Sequence, residues 1–111
     1  MLERCDPNVT GRFGLTMLHD IAASRDSVTA DERVAFSTLL LDAGARLDVR
    51  DDVLESTPLG WACRWGRTEQ VKLLLERGAD PIEADAEPWA TPAAWAEKMR
   101  HDNVLALLRR I

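Results

Sequence analysis

Covalent chemistry needs histidine, cysteine or acidic side chains in workable groupings, and this 111-residue chain offers few of them. A nucleophile requires a base within hydrogen-bond reach and a third group that orients the base. His19-Asp20 with Cys63 is the one grouping that supplies those residue types, and sequence spacing alone does not bring its parts together. The chain has no glycine-rich phosphate loop, no His-x-x-x-His pair and no Cys-x-x-Cys. Neither a nucleotide cradle nor a zinc site is therefore expected. The expectation is a non-enzymatic protein without catalytic residues, metal or cofactor.

Recognition chemistry is better represented. Trp61 and Trp65 are four residues apart and share one face of any helix that contains them. Trp89 lies just before Thr91, and Trp95 follows it. Tryptophan combines a large rigid apolar surface with one N–H donor, which is why it is enriched at binding hot spots. Two uses stay open for Trp61 and Trp95: partial exposure toward a partner, or stacking on one another in the core. Trp65 and Trp89 are expected to be exposed. Asp51, Asp52 and Glu55 form one acidic stretch and Glu83, Asp85 and Glu87 another. These are either solvated turns or a rim suited to a basic partner segment, which ion pairs and cation–π contacts would hold. Arg12 and Phe13 precede the first helix; Phe13 is either an exposed anchor or packed on the next loop. Arg50 and Arg64 stand near the acidic stretches, and local pairing with those carboxylates is their simplest role.

The elements that must position these residues follow from size, composition and repetition. A mass of 12.4 kDa is one domain or a short repeat array, large enough to bury roughly two thirds of its unfolded surface without staples. The formal charge of −5 disfavours nucleic acid as a partner. No apolar run approaches a membrane span of about 20 residues, and Met1–Asp6 does not read as a signal peptide. Cys5 and Cys63 read as reduced thiols of a cytoplasmic protein, although spacing leaves a bridge between them open.

Thr57-Pro58-Leu59-Gly60-Trp61-Ala62 returns as Thr91-Pro92-Ala93-Ala94-Trp95-Ala96, at an offset of 34. Leu39-Leu40-Leu41-Asp42-Ala43-Gly44-Ala45 returns as Leu73-Leu74-Leu75-Glu76-Arg77-Gly78-Ala79 at the same offset. A weaker first copy, Thr16-Met17-Leu18-His19, lies 41 residues before Thr57, so seven extra residues fall within 23–32. Each unit reads as two helices. Threonine caps the first helix and proline tolerates its first position. Gly66 breaks the chain, and a second helix from about Thr68 to Arg77 ends at Gly78, where a left-handed residue is wanted. In the first unit, Thr29 and Glu32 form a capping box for a longer second helix, near Ala30 to Asp42. Neither helix can bury its apolar face alone; stacked units can.

This unit, with its Thr-Pro-Leu start and Leu-Leu-x-x-Gly-Ala-Asp end, resembles the ankyrin repeat. The resemblance covers nearly the whole chain, as one domain over 1–111: a partial unit at 1–9 and units at about 10–50, 51–84 and 85–111. It implies an all-α solenoid of stacked helix-turn-helix units with projecting β-hairpin loops, whose usual work is binding another protein. It also places Trp65 and Trp89 on or near the concave face, with Trp61, Arg64, Asp52 and Glu87 around them and Arg12 and Phe13 on the first loop. Cys63 takes the place of a small buried alanine. His19 is the one copy of the family's loop-bracing histidine, Gly60 and Ala94 standing in the other units, which are expected to lose that support. The alternative function is homo-oligomeric assembly, a homodimer for example, through an uncapped N-terminal face or the 23–32 insertion.

Overall fold

The computed structural model describes residues 7–109. Cys5 and most of the partial unit at 1–9 lie outside the described residues. Six α-helices follow in chain order: α1 Met17–Ala22, α2 Ala30–Asp42, α3 Pro58–Arg64, α4 Thr68–Glu76, α5 Pro92–Lys98 and α6 Asp102–Arg109. A short 3-10 turn at Arg12–Gly14 precedes them.

Local chemistry explains where the helices start and stop. The side chains of Thr16, Thr29, Thr57 and Thr91 accept from the backbone N–H three residues on, capping α1, α2, α3 and α5. Pro58 and Pro92 occupy first-turn positions where no N–H is needed. At Thr29 the box closes fully, with the Glu32 carboxylate accepting the Thr29 N–H at 2.9 Å. Gly44 and Gly78 have φ of 98° and 99° just beyond α2 and α4. That conformation lets the following alanines bond back to Leu40 and Leu74.

The helices stack in two layers. α1, α3 and α5 pack side by side in one, α2, α4 and α6 in the other, and each pair closes on itself. Leu59, Val71, Leu74 and Val104 are buried at the seams, each contributing about 1.5–3 kcal/mol on leaving water. The fold is the all-α repeat stack that the resemblance implied. Its inter-unit loops are plainer than hairpins: among the described residues no strand forms. The Asp51 N–H reaches the Ser56 carbonyl at 3.2 Å, and the Asp52 N–H reaches the Phe13 carbonyl of the preceding loop at 2.8 Å. Side chains complete what a β-ladder would otherwise supply.

Gly60 shows how tightly the units meet. A β-carbon there would lie 3.0 Å from Ser56 Cβ and 3.6 Å from the Trp95 ring. We expect Gly60→Ala to cost about 1–3 kcal/mol by overpacking, measured by urea denaturation. A variant as stable as the parent would show that the α3–α5 seam yields freely.

Candidate protein interface

The tryptophans are not equivalent. Trp61 is only 7% exposed. Its ring stacks on Trp65 at 5.0 Å and meets His19 edge-on at 5.4 Å, and its Nε1–H donates to Asp51 Oδ1 at 2.8 Å. Trp95 is buried as well, and its Nε1–H donates to Ser56 Oγ at 2.8 Å. The core role weighed for these two rings therefore has different partners: Trp61 stacks on Trp65, while Trp95 meets Trp89 edge-on at 6.1 Å. Trp65 is half-buried, with the Arg64 guanidinium 4.6 Å from its centroid. Arg64 also lies 5.3 Å from the Trp95 ring. It thus pairs with two indoles rather than with the carboxylates expected of it. Trp89 alone among the four is largely open, at 48% exposure.

The loop before α3 takes hydrogen bonds from all three helix pairs. In the first unit His19 Nδ1 accepts from the Thr16 N–H at 3.1 Å while Nε2–H donates to the Ser56 carbonyl at 2.9 Å. That arrangement describes a neutral imidazole, and burial pushes its pKa below 6.5 despite the Ser56 bond and nearby Asp51 and Asp20. Gly60 and Ala94 cannot do this work. One residue further on, Trp61 and Trp95 reach Asp51 and Ser56 of the same loop that His19 braces, whereas the Ala90 carbonyl of the loop before α5 has the Ser56 hydroxyl at 3.3 Å in place of a histidine.

Two of the six acidic residues read as tip charges are buried. Asp51 accepts from the N–H groups of Val53, Leu54 and Ser56 and from Trp61. Burial pushes its carboxyl up, but these donors outweigh it and hold it below the ordinary range. Glu83 is 4% exposed and accepts the Thr57 hydroxyl at 2.6 Å, with Arg50 Nη2 at 3.6 Å. Its carboxyl is pushed up, burial outweighing the Thr57 bond and Arg50. Arg50 pairs chiefly with exposed Asp85, at 3.1 Å. Asp52 and Glu87 remain exposed. Phe13 is 55% exposed, with the Arg12 guanidinium 5.9 Å from its ring, and its backbone carbonyl accepts the Asp52 N–H. His101 tethers to the neighbouring unit, its Nε2 lying 3.0 Å from the Arg64 carbonyl.

Two groups of candidate residues result. Arg12, Phe13 and Asp52 meet at the first two loops. Arg64 and Trp65 end α3, where Arg64 lies over Trp65 and Trp95; Trp95 meets Trp89 of the loop that also carries Glu87, and Trp61 stacks on Trp65. Cys63 is a fully buried free thiol whose pKa is pushed up by burial and by Glu83, the opposite of an activated nucleophile. No grouping of metal-binding side chains occurs among the described residues, nor is any helix there long and apolar enough to cross a membrane.

Comparison with known proteins accounts for this architecture. The family model for ankyrin repeats in three copies matches residues 1–85, and the chain belongs to the ankyrin repeat family. The α5/α6 pair beyond that span continues the same stack. Relatives include Ankyrin repeat domain-containing protein 63 of Homo sapiens, 37% identical over 70% of this chain and 20% of that protein. Palmitoyltransferase ZDHHC13 of Mus musculus is 38% identical over 82% of the chain and 15% of its own length, and Protein PhlB of Serratia liquefaciens is 39% identical over 72% and 32%. The chain thus spans less than a third of each of these relatives. Ankyrin repeats generally serve as protein–protein interaction modules and are generally not enzymes.

The loop network carries a pH signature. His19 and Asp51 both have depressed native pKa values, so the unfolded chain binds their protons more readily and stability is lost as pH falls. The His19 loss begins below about pH 6.5, and the Asp51 loss at more acid pH, below its unperturbed 3.8. Glu83 runs the other way, its contribution growing as pH falls through its raised pKa. Urea denaturation across this range should show the two-stage decline. Asp51→Asn should shrink the lower stage, to which Asp48 and Asp85 also contribute, and cost about 1–3 kcal/mol at neutral pH.

Proposed function

We propose that residues 1–111 act as one non-enzymatic binding module. A partner protein docks on the face carrying Trp89, Trp65 and Arg64, with Asp52 and Glu87 around it and Arg12 and Phe13 at the first loop. The observation that carries this reading is Trp89, a large ring left open to solvent but held edge-on by buried Trp95. A rigid exposed indole loses little conformational freedom on binding. Trp61 supports the face from below. The acidic residues suit a basic segment on the partner, and the module works in the cytoplasm.

Partners captured from source lysate and identified by mass spectrometry supply the test. Trp65→Ala with Trp89→Ala, in a variant that keeps its helical circular dichroism, should weaken the identified partner by about tenfold or more, ~1.4 kcal/mol. Equal recovery on both proteins would move the site elsewhere. Asp52→Lys with Glu87→Lys should weaken binding and flatten its salt dependence; unchanged affinity would remove the basic-segment reading.

A second reading is self-association, favoured by an apolar cleft of about 410 Å³ between α1, α2 and the insertion, lined by Met17, Ile21, Val28, Phe36, Leu39 and Leu40. Phe36 is 48% exposed there. Sedimentation velocity decides between the readings. A dimer that survives dilution and is lost in Phe36→Glu supports assembly, and a monomer at all concentrations rejects it.

A further inference from the structure

The sharpest electrostatic irregularity lies under the 23–32 insertion. Arg33 is only 6% exposed. Its Nε donates to Ser24 Oγ at 3.0 Å, and its Nη2 donates to the Arg25 carbonyl at 2.9 Å and the Ser24 carbonyl at 3.4 Å. Arg67 comes in beside it, donating to the carbonyls of Ala22 at 2.9 Å and Ser24 at 2.7 Å. These bonds tie the insertion down, but carbonyls do not neutralise a charge. Among the described residues Arg33 forms no ion pair, and Arg67 has only the wholly exposed Asp26 carboxylate, 3.7 Å from Nη1. Burial and the neighbouring Arg33 push the Arg67 pKa down, as expected of two like charges held close together with restricted access to water. Buried guanidiniums are ordinarily paired with an anion.

Both arginines line a cavity of about 220 Å³ whose floor is the start of α4. That helix begins without a side-chain cap. The Thr68 N–H goes to the Gly66 carbonyl and the Val71 N–H to the Arg67 carbonyl, leaving the Glu69 and Gln70 amides without acceptors among the described residues. Such a terminus carries partial positive charge. Gln70 lines the same cavity, is 1% exposed, and has a buried Oε1 with no hydrogen-bond partner. Its Nε2 lies 3.3 Å from Ser37 Oγ. Turning the amide over would give Oε1 the Ser37 hydroxyl as donor. The one carboxylate on the rim, Glu69, faces Lys72 at 3.5 Å.

We propose that this cavity binds a small phosphate-type oxyanion between Arg33, Arg67 and the first turn of α4, with the insertion as its wall. Planar guanidiniums and free helix amides together offer more donors than a monatomic ion can use, and they match the several acceptor oxygens of a phosphoryl group. The proposal does not depend on the Trp89 face. Inorganic phosphate or a phosphorylated side chain could be the source.

Two-dimensional NMR titrations at constant ionic strength test the site, with inorganic phosphate, O-phosphoserine and chloride as probes. We expect saturable shifts of the Glu69 and Gln70 amide signals with phosphate, with O-phosphoserine or with both, and none with chloride. Phosphate acting alone assigns the site to the free ion, and O-phosphoserine acting more strongly assigns it to a modified side chain. Arg67→Gln should weaken binding by about tenfold or more, whereas Lys72→Gln should leave it unchanged. The wild-type titration stands by itself should Arg67→Gln not fold. Shifts that do not saturate, that chloride reproduces, or that persist in folded Arg67→Gln overturn the proposal.

Discussion

A buried loop must find a partner for each of its polar groups, and this obligation organises the molecule around Asp51 and Ser56. Leaving one such group unpaired costs about 1–3 kcal/mol, comparable to a whole buried side chain. In the loop before α3, Asp51 and Ser56 meet that demand. Ser56 gives its N–H to Asp51 and its hydroxyl proton to the Leu54 carbonyl. Its carbonyl accepts from Asp51 and His19, and its hydroxyl oxygen accepts from Trp95. With these groups satisfied, the loop can lie between stacked helices rather than extend into water. The tryptophans are thereby held in fixed positions.

This division of labour shapes what remains for binding. Aromatic rings serve as loop donors, as seam packing and as platforms for Arg64, so a tryptophan-rich surface in sequence becomes a largely internal cluster in space. Trp89 stays outside because it sits in the loop and not on a helix, where its indole N–H can remain hydrated. The charged residues divide in the same way. Asp51 and Glu83 face inward, whereas Asp52, Asp85 and Glu87 face water. Residues alike in type and adjacent in sequence thus do opposite work.

The repeat, the helix pairs and the extended α2 were legible in the sequence because caps, glycines and apolar spacing are local signals. The Thr29–Glu32 box and the glycines after α2 and α4 each act within a few residues. The convergence of Trp61 and Trp95 on the loop before α3 was harder to read, because Trp95 crosses to it from another unit. Gly60 was visible as a gap in the family pattern, but its meaning, room for Ser56 and the Trp95 ring, needs the next repeat in place. Ser56 gave no signal at all: a lone serine before a threonine-proline pair is unremarkable until three units converge on it. Arg33 and Arg67 also share an offset of 34, yet only the folded insertion supplies the carbonyls that hold them in.

Arrays of this kind usually behave as one-dimensional systems, in which each unit touches only its neighbours and the ends can fray alone. Ser56 breaks that locality. His19 belongs to the first helix pair and Trp95 to the third, and both bond to the same residue of the loop that opens the second. The outer pairs are thus coupled through a single shared residue as well as through the chain of neighbours. Opening either end disturbs a bond network that also serves the other. The stack therefore gains a cooperative length of three units where nearest-neighbour contacts would give two.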